Sequence, residues 1–264
     1  MQDIERTALW VAGMRALETE RKDPLFRDPF AHLLAGEEFM EGLRRELASG
    51  ARMPPAIEVR TRWIDDEIGL GIGRGVRQVV IIAAGMDARA YRLDWPAGAR
   101  VFELDHHDIL QEKQKKLAGL TPRCERHALS VDLQNEWAGL LQQDGYSATD
   151  PTIWLVEGLL CYLRPEHVAC LLSRVDALSA PGSILLLDVL GRVLLKASST
   201  KLLHELARQF GTDEPETLFS SLAWDVTVQS TAAVGRQLGR WPFPVPPRGA
   251  PGVPQSYLVN ATKC

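Results

Sequence analysis

Between residues 76 and 190 the chain alternates two hydrophobic rhythms. VRQVVIIAAG, RVFELD, ERHALSVDL, TIWLVEG and GSILLLDVL are short apolar runs rich in β-branched residues. HDILQEKQKKL, QNEWAGLLQQ and PEHVACLLSRVDALS instead carry apolar residues every three or four positions. Strands buried on both faces and alternating with helices predict a parallel sheet with right-handed crossovers. Residues 1–75 read mainly as helix. Thr7 caps a first helix carrying Leu9, Val11, Met14 and Leu17, and Asp28-Pro29 opens a second. A third follows Pro54-Pro55, with Ile57, Ile64 and Ile68 on one face. Downstream, KASSTKLLHELARQFG and TAAVGRQLG read as helices, and AWDVTVQS and SYLVNATK as strands. WPFPVPPRGAPGVPQ is a loop, because proline has no N–H to give a helix or a central strand. The expectation is one α/β domain over 1–264, with seven strands. It divides into a helical cap (1–75), a core carrying the ligand site (76–190) and a segment of further helices and closing strands (191–264).

Composition narrows the class. Of 264 residues, 45% are hydrophobic and 24% charged, ordinary usage for a packed globular chain. The net charge of −4 argues against nucleic acid as a partner, since phosphate binding needs a basic face. The longest apolar runs are of strand length, and the first ten residues lack a signal-peptide core. No membrane segment is therefore expected, and the default location is the cytoplasm. Cys124, Cys161, Cys170 and Cys264 have neither CxxC spacing nor clustered histidines, so no metal site is expected. His106 and His107 are adjacent and do not converge on one ion.

The candidate chemistry sits where strands end, because ligands of such sheets bind outside the carboxyl ends near the reversal of strand order. Ala84-Gly85 closes the first strand, and glycine there allows close approach of a ligand. Asp105 ends the second strand about 20 residues later, a spacing suited to the ribose hydroxyls of an adenosine cofactor. A helix-capping role is the alternative, and Glu103 lies inside the strand. Asp132 follows the third strand and could accept the adenine amine or cap a helix over 134–142. Glu157 ends the fourth strand among apolar residues, so it needs a cationic cofactor or a structural arginine beside it. On the helix after Pro55, Arg60 falls about 60° from Ile57 and Arg62 about 140° from it. Arg60 thus borders the buried face, as a forked donor to a ligand carboxylate or as a snorkelling side chain. GxGxxG is absent, which counts against a nicotinamide-dependent oxidoreductase.

TALWVAGMRALE, DPFAHLL, VRTRWIDD, QVVIIAAGMDARAYRLDWP, VFELD, VDL near Trp137, WLVEGLLCYL and SAPGSILLLD occur in this order over about residues 5–190. Together they resemble the leucine carboxyl methyltransferase family and its bacterial S-adenosylmethionine-dependent and polyketide O-methyltransferase relatives. The resemblance implies a class I methyltransferase, Rossmann-like sheet of seven strands with an N-terminal helical cap. It implies S-adenosylmethionine as cofactor, S-adenosylhomocysteine as product, and a small-molecule acceptor such as a polyketide-like metabolite. Arg60 would pair with the cofactor's methionine carboxylate, Ala84 and Gly85 would pack against it, and Asp105 would hold its ribose. Asp132 and the backbone of Leu133 would bracket adenine, and Glu157 would lie near the sulfonium and amino end. The family's glycine and threonine are replaced here by Ala83 and Ala88, which keeps a non-catalytic S-adenosylmethionine-binding protein as an alternative. No motif marks a base, which favours a carboxylate acceptor over a hydroxyl; Glu157 and Tyr162 are the candidates if one exists, with His106 behind them. The helical N-terminus and the segment 192–222 are expected to form the acceptor pocket, where Trp10, Met14, Phe210 and Phe219 either face an apolar substrate or are plain core.

Overall fold

The computed structural model describes residues 2–49, 53–196 and 209–264. Seven strands form one sheet: β1 (Gln78–Ile82), β2 (Arg100–Asp105), β3 (Glu125–Ser130), β4 (Thr152–Val156), β5 (Ile184–Leu190), β6 (Trp224–Ser230) and β7 (Ser256–Lys263). Their order is β3-β2-β1-β4-β5-β7-β6. The first five strands are parallel, and β7 runs antiparallel between β5 and β6. The chain reverses direction across the sheet between β1 and β4. Their carboxyl ends therefore frame the crevice in which such sheets bind ligands.

Alternation along β1 shows why the strand is apolar throughout. Val79 and Ile81 join the core under the N-terminal helices, whereas Val80 and Ile82 join the core on the other face. The first core is covered by α1 (Gln2–Thr19), α2 (Ala31–Ala35), α3 (Glu37–Ala48) and α4 (Ala56–Gly73). Gly71 of α4 lies so close to the sheet that a Cβ there would sit 2.7 Å from the Ile153 side chain. The second core is covered by α7 (Ala138–Gln143) and α8 (Pro165–Leu178), with Trp137 and Trp154 at its centre. The remaining helices among the described residues are α5 (Arg89–Arg92), α6 (His107–Lys116), α9 (Arg192–Lys196) and α10 (Thr231–Gln237), with 3₁₀ turns at Leu160–Tyr162 and Pro215–Phe219.

Some expectations shift. Thr7 lies inside α1, which already begins at Gln2, so it is not the N-cap of that helix. Asp28 accepts a hydrogen bond from the Phe30 N–H, and α2 starts only at Ala31. The helix expected from residue 134 starts at Ala138, because Asp132 turns the chain first: its Oδ1 accepts from the Gln134 N–H and its Oδ2 from the Asn135 amide. Most of KASSTKLLHELARQFG lies outside the described residues.

Ala83, at the end of β1, has φ +57°. A left-handed conformation costs a residue with a Cβ about 1–2 kcal/mol, partly offset in glycine by its larger unfolded-state entropy of about 0.4–1 kcal/mol. Ala83→Gly is therefore expected to raise stability by up to about 1 kcal/mol, while the β-branched Ala83→Val lowers it by more than about 1 kcal/mol. Urea denaturation of the two variants checks the opposite signs.

Candidate functional site

The carboxyl ends of β1, β2, β4 and β5 open into a cavity of about 870 Å³. Arg60, Ala84, Gly85, Asp105, Asp132, Leu133, Glu157 and Tyr162 all line it, as do His106, Trp10 and Met14. Phe219 does not: it is buried on the other face against Trp224, and Phe210 packs against that same core. The aromatic lining comes instead from Trp241 and Phe243 of the proline-rich loop after α10.

At the β1 turn, Gly85 takes φ +48° and its N–H donates to Asp105 Oδ2 at 2.7 Å. The His106 N–H donates to Asp105 Oδ1 at 2.7 Å. Two backbone donors thus fix this carboxylate at the tip of β2, each oxygen keeping a lone pair for a further donor. Burial raises the Asp105 pKa, and the Gly85 and His106 N–H groups oppose that rise. Glu103, two residues back, is fully buried and committed elsewhere, to Lys113 Nζ at 2.8 Å and Arg126 Nη2 at 2.7 Å.

Glu157 is the centre of a buried charge cluster. Arg15 Nη2 donates to both of its oxygens at 2.9 Å, Arg60 Nε donates to Oε1 at 2.9 Å, and Arg89 Nη1 donates to Oε2 at 2.7 Å. Arg60 Nη1 continues to Asp188 Oδ2 at 2.9 Å, and Arg89 continues to Asp87 and Asp65. Burial by itself would raise the Glu157 pKa; Arg15, Arg89 and Arg60 outweigh it and hold the carboxyl well below its ordinary range. The structural-arginine alternative for Glu157 is therefore realised, on the wall of the same cavity. Arg62 lies outside the cluster, half-buried, and donates to Asp66 and to the Leu25 carbonyl. Arg60→Lys keeps the charge but loses the rigid planar fork whose Nε and Nη1 reach Glu157 and Asp188 from separate nitrogens. We expect it to weaken ligand binding at the cavity at least tenfold, and Arg62→Ala to leave binding unchanged, by calorimetric titration.

The sequence reading missed Arg15, Asp87, Arg89 and Asp188. Arg15 sits in a helix with no ligand motif, and its reach to Glu157 crosses 142 positions of sequence. Asp188 had a signal, a lone acid within the apolar strand SILLLDVL. It accepts the Gly158 N–H at 2.6 Å on Oδ1 while holding Arg60 on Oδ2.

A further acid on the wall was also missed. Glu58 of α4 is 9% exposed, and its Oε2 has no hydrogen-bond partner. Burial pushes its pKa up to about 7; its own backbone N–H, Arg240 and Arg21 oppose the rise, and Glu18 adds to it. The folded state thus binds this proton more tightly than the unfolded state, whose carboxyl titrates near 4.5. Stability is full below about 4.5 and falls as pH rises through about 7, by up to about 3 kcal/mol. Glu58→Gln removes the titration. Its stability advantage over wild type should grow between pH 4.5 and 8, as denaturant melts at several pH values would show; a constant difference contradicts the burial argument.

Among the described residues, no cluster of three or more His, Cys, Asp and Glu is placed to hold a metal, and no helix is long and apolar enough to cross a membrane. Comparison with known proteins decides the family. The model of the leucine carboxyl methyltransferase family matches residues 8–176, which include most of α1, all of α4 and the tips of β1, β2 and β4. The chain belongs to the leucine carboxyl methyltransferase family. A protein of Mycolicibacterium smegmatis, described as an S-adenosyl-L-methionine-dependent methyltransferase, is 39% identical over 86% of this chain and 85% of its own length. One of Parafrankia with the same description is 46% identical over 70% of this chain, which spans 63% of that relative. The fold is shared with a Thermobifida fusca methyltransferase crystal structure (TM-score 0.61, 18% identity, 89% of this chain and 92% of that one). It is also shared with a Streptomyces avermitilis structure (TM-score 0.57, 16% identity, 96% and 97%). The seven-strand sheet is thus a class I methyltransferase sheet, and the cavity lies where its strand order reverses.

Proposed function

We propose that this S-adenosylmethionine-dependent methyltransferase transfers a methyl group to an oxygen, carboxylate or hydroxyl, of a small and largely apolar acceptor. One observation carries the reading: Asp105, Gly85, Asp132, Arg60 and Glu157 line the same cavity as the apolar side chains of Trp10, Met14, Trp241 and Phe243. A volume of about 870 Å³ lies near the upper end of the ~300–1,000 Å³ of small-molecule sites, enough for cofactor and acceptor together.

The residues present fit the cofactor. Asp105 offers a fixed carboxylate at the tip of β2 for two ribose hydroxyls, beside a glycine turn that admits a close neighbour. The Asp132–Gln134 turn borders the same wall and suits the adenine end. Arg15, Arg60 and Glu157 supply both signs of charge for the carboxylate and ammonium of the methionine end. When bound, S-adenosylmethionine supplies a methyl group already activated by positive sulfur. The protein's part is to hold the acceptor oxygen in line with the carbon–sulfur bond and to keep water out. The apolar side chains do both by packing the acceptor between α1 and the proline-rich loop. Incubation with S-adenosylmethionine and apolar carboxylates or alcohols, with the products read by mass spectrometry, tests the reading. An O-methyl product with S-adenosylhomocysteine supports it, and methylation at nitrogen or carbon alone contradicts it.

A further inference from the structure

Glu58 lines the cavity but stands outside the charge cluster around Glu157. Its neighbours along the chain, Met53, Pro54, Ala56 and Ile57, line the cavity too. Just after it, Val59 faces α10 and Trp241: a Cβ placed on Gly235 would meet Val59 at 3.0 Å and Trp241 at 2.9 Å. This end of α4 therefore adjoins the apolar lining. Arg60, two residues on and about 160° around the helix, turns instead to Glu157 and Asp188.

The charged groups around Glu58 are Glu18 and Arg21 at the end of α1 and Arg240 after α10. None neutralises it by direct pairing. Arg240 donates to Glu18 Oε1 at 2.8 Å and to Asp23, and Arg21 pairs with Glu18 and Asp23. A carboxyl 9% exposed with an unpartnered oxygen is costly to keep unless a ligand completes it.

We infer that Glu58 is the polar anchor of the acceptor chamber, selecting acceptors that present a hydroxyl or similar hydrogen-bond donor there rather than an anionic group. The inference rests on the methyltransferase reading of the cavity. An acceptor hydroxyl supplies the donor the Glu58 carboxylate lacks. An acceptor anion at the same place meets a like charge in a low-dielectric wall, unless Glu58 takes up a proton, which its pKa of about 7 allows only toward acid pH.

The test uses 2-naphthol and 2-naphthoate, one skeleton with a neutral donor or an anion, titrated calorimetrically into the full chain saturated with S-adenosylhomocysteine. In wild type, naphthol is expected to bind at least tenfold more tightly than naphthoate at pH 8, with the gap closing several-fold at pH 6. In Glu58→Gln the gap should be smaller and independent of pH, with unchanged affinity for S-adenosylhomocysteine. A gap that is pH-independent in wild type, or identical in the two proteins, overturns the inference. So does failure of both probes to bind the S-adenosylhomocysteine complex. If S-adenosylhomocysteine itself does not bind wild type, the methyltransferase reading fails instead.

Discussion

Glu157→Gln should lower stability by about 3–5 kcal/mol, the loss typical of removing one charge from a buried pair. At about 2–4 °C per kcal/mol for a chain of this size, the melting temperature falls by roughly 6–20 °C. Glutamine has nearly the same shape, so packing is preserved and the change isolates charge. It leaves Arg15, Arg60 and Arg89 around a neutral amide that can accept on only one atom. Asp188, Asp87 and Asp65 still balance part of that charge, which is why the protein should fold at all. Because Arg60 and Arg15 are positioned through Glu157, binding of S-adenosylhomocysteine should fall with it. Differential scanning calorimetry measures the first effect. A drop of under 2 °C would show that the cluster does not hold the α1–α4–sheet junction together.

Asp105→Ala is expected to cost about 1.5–4 kcal/mol of cofactor affinity, roughly tenfold to several-hundredfold, through two charge-assisted hydrogen bonds to the ribose. The variant also strands the Gly85 and His106 N–H groups, so loop displacement has to be separated from ribose recognition. A double-mutant cycle does this. Wild type should bind a 2′-deoxy analogue of S-adenosylhomocysteine more weakly than S-adenosylhomocysteine, whereas Asp105→Ala should bind the two alike. If both proteins discriminate equally, Asp105 only braces the turn. Glu103→Ala is the contrasting case: it breaks a fully buried bond to Lys113 and should cost folding stability while sparing affinity in the folded fraction.

The strand tips were legible in the sequence because burial on both faces writes continuous apolar runs, and a lone acid at the end of such a run stands out. Asp105, Glu157 and Gly85 were found that way, and the phase of α4 separated Arg60 from Arg62. What the sequence hid was the partner of each charge. Glu157 needed a cation, but nothing local shows that Arg15 and Arg89 reach it from α1 and α5. Ion pairs distant in sequence leave no periodicity. Only part of the expected apolar wall was misplaced, for a related reason: Trp10 and Met14 do line the cavity, but Phe219 packs under the opposite face, whereas Trp241 and Phe243 stand in a loop with no pattern to orient them. Ala83 shows the converse. A departure from the family's glycine invites the idea of a damaged turn, yet the backbone keeps the left-handed conformation with alanine in place.

The cavity at the β1–β4 reversal, walled by Arg60, Gly85, Asp105, Asp132 and Glu157, is proposed as the site for S-adenosylmethionine. Calorimetric titration of the full chain with S-adenosylhomocysteine, beside NAD at matched concentration, tests it most directly. One saturable site for S-adenosylhomocysteine is expected, weakened at least tenfold by Asp105→Ala, with no heat of binding from NAD. Saturable binding of NAD with none of S-adenosylhomocysteine would contradict it.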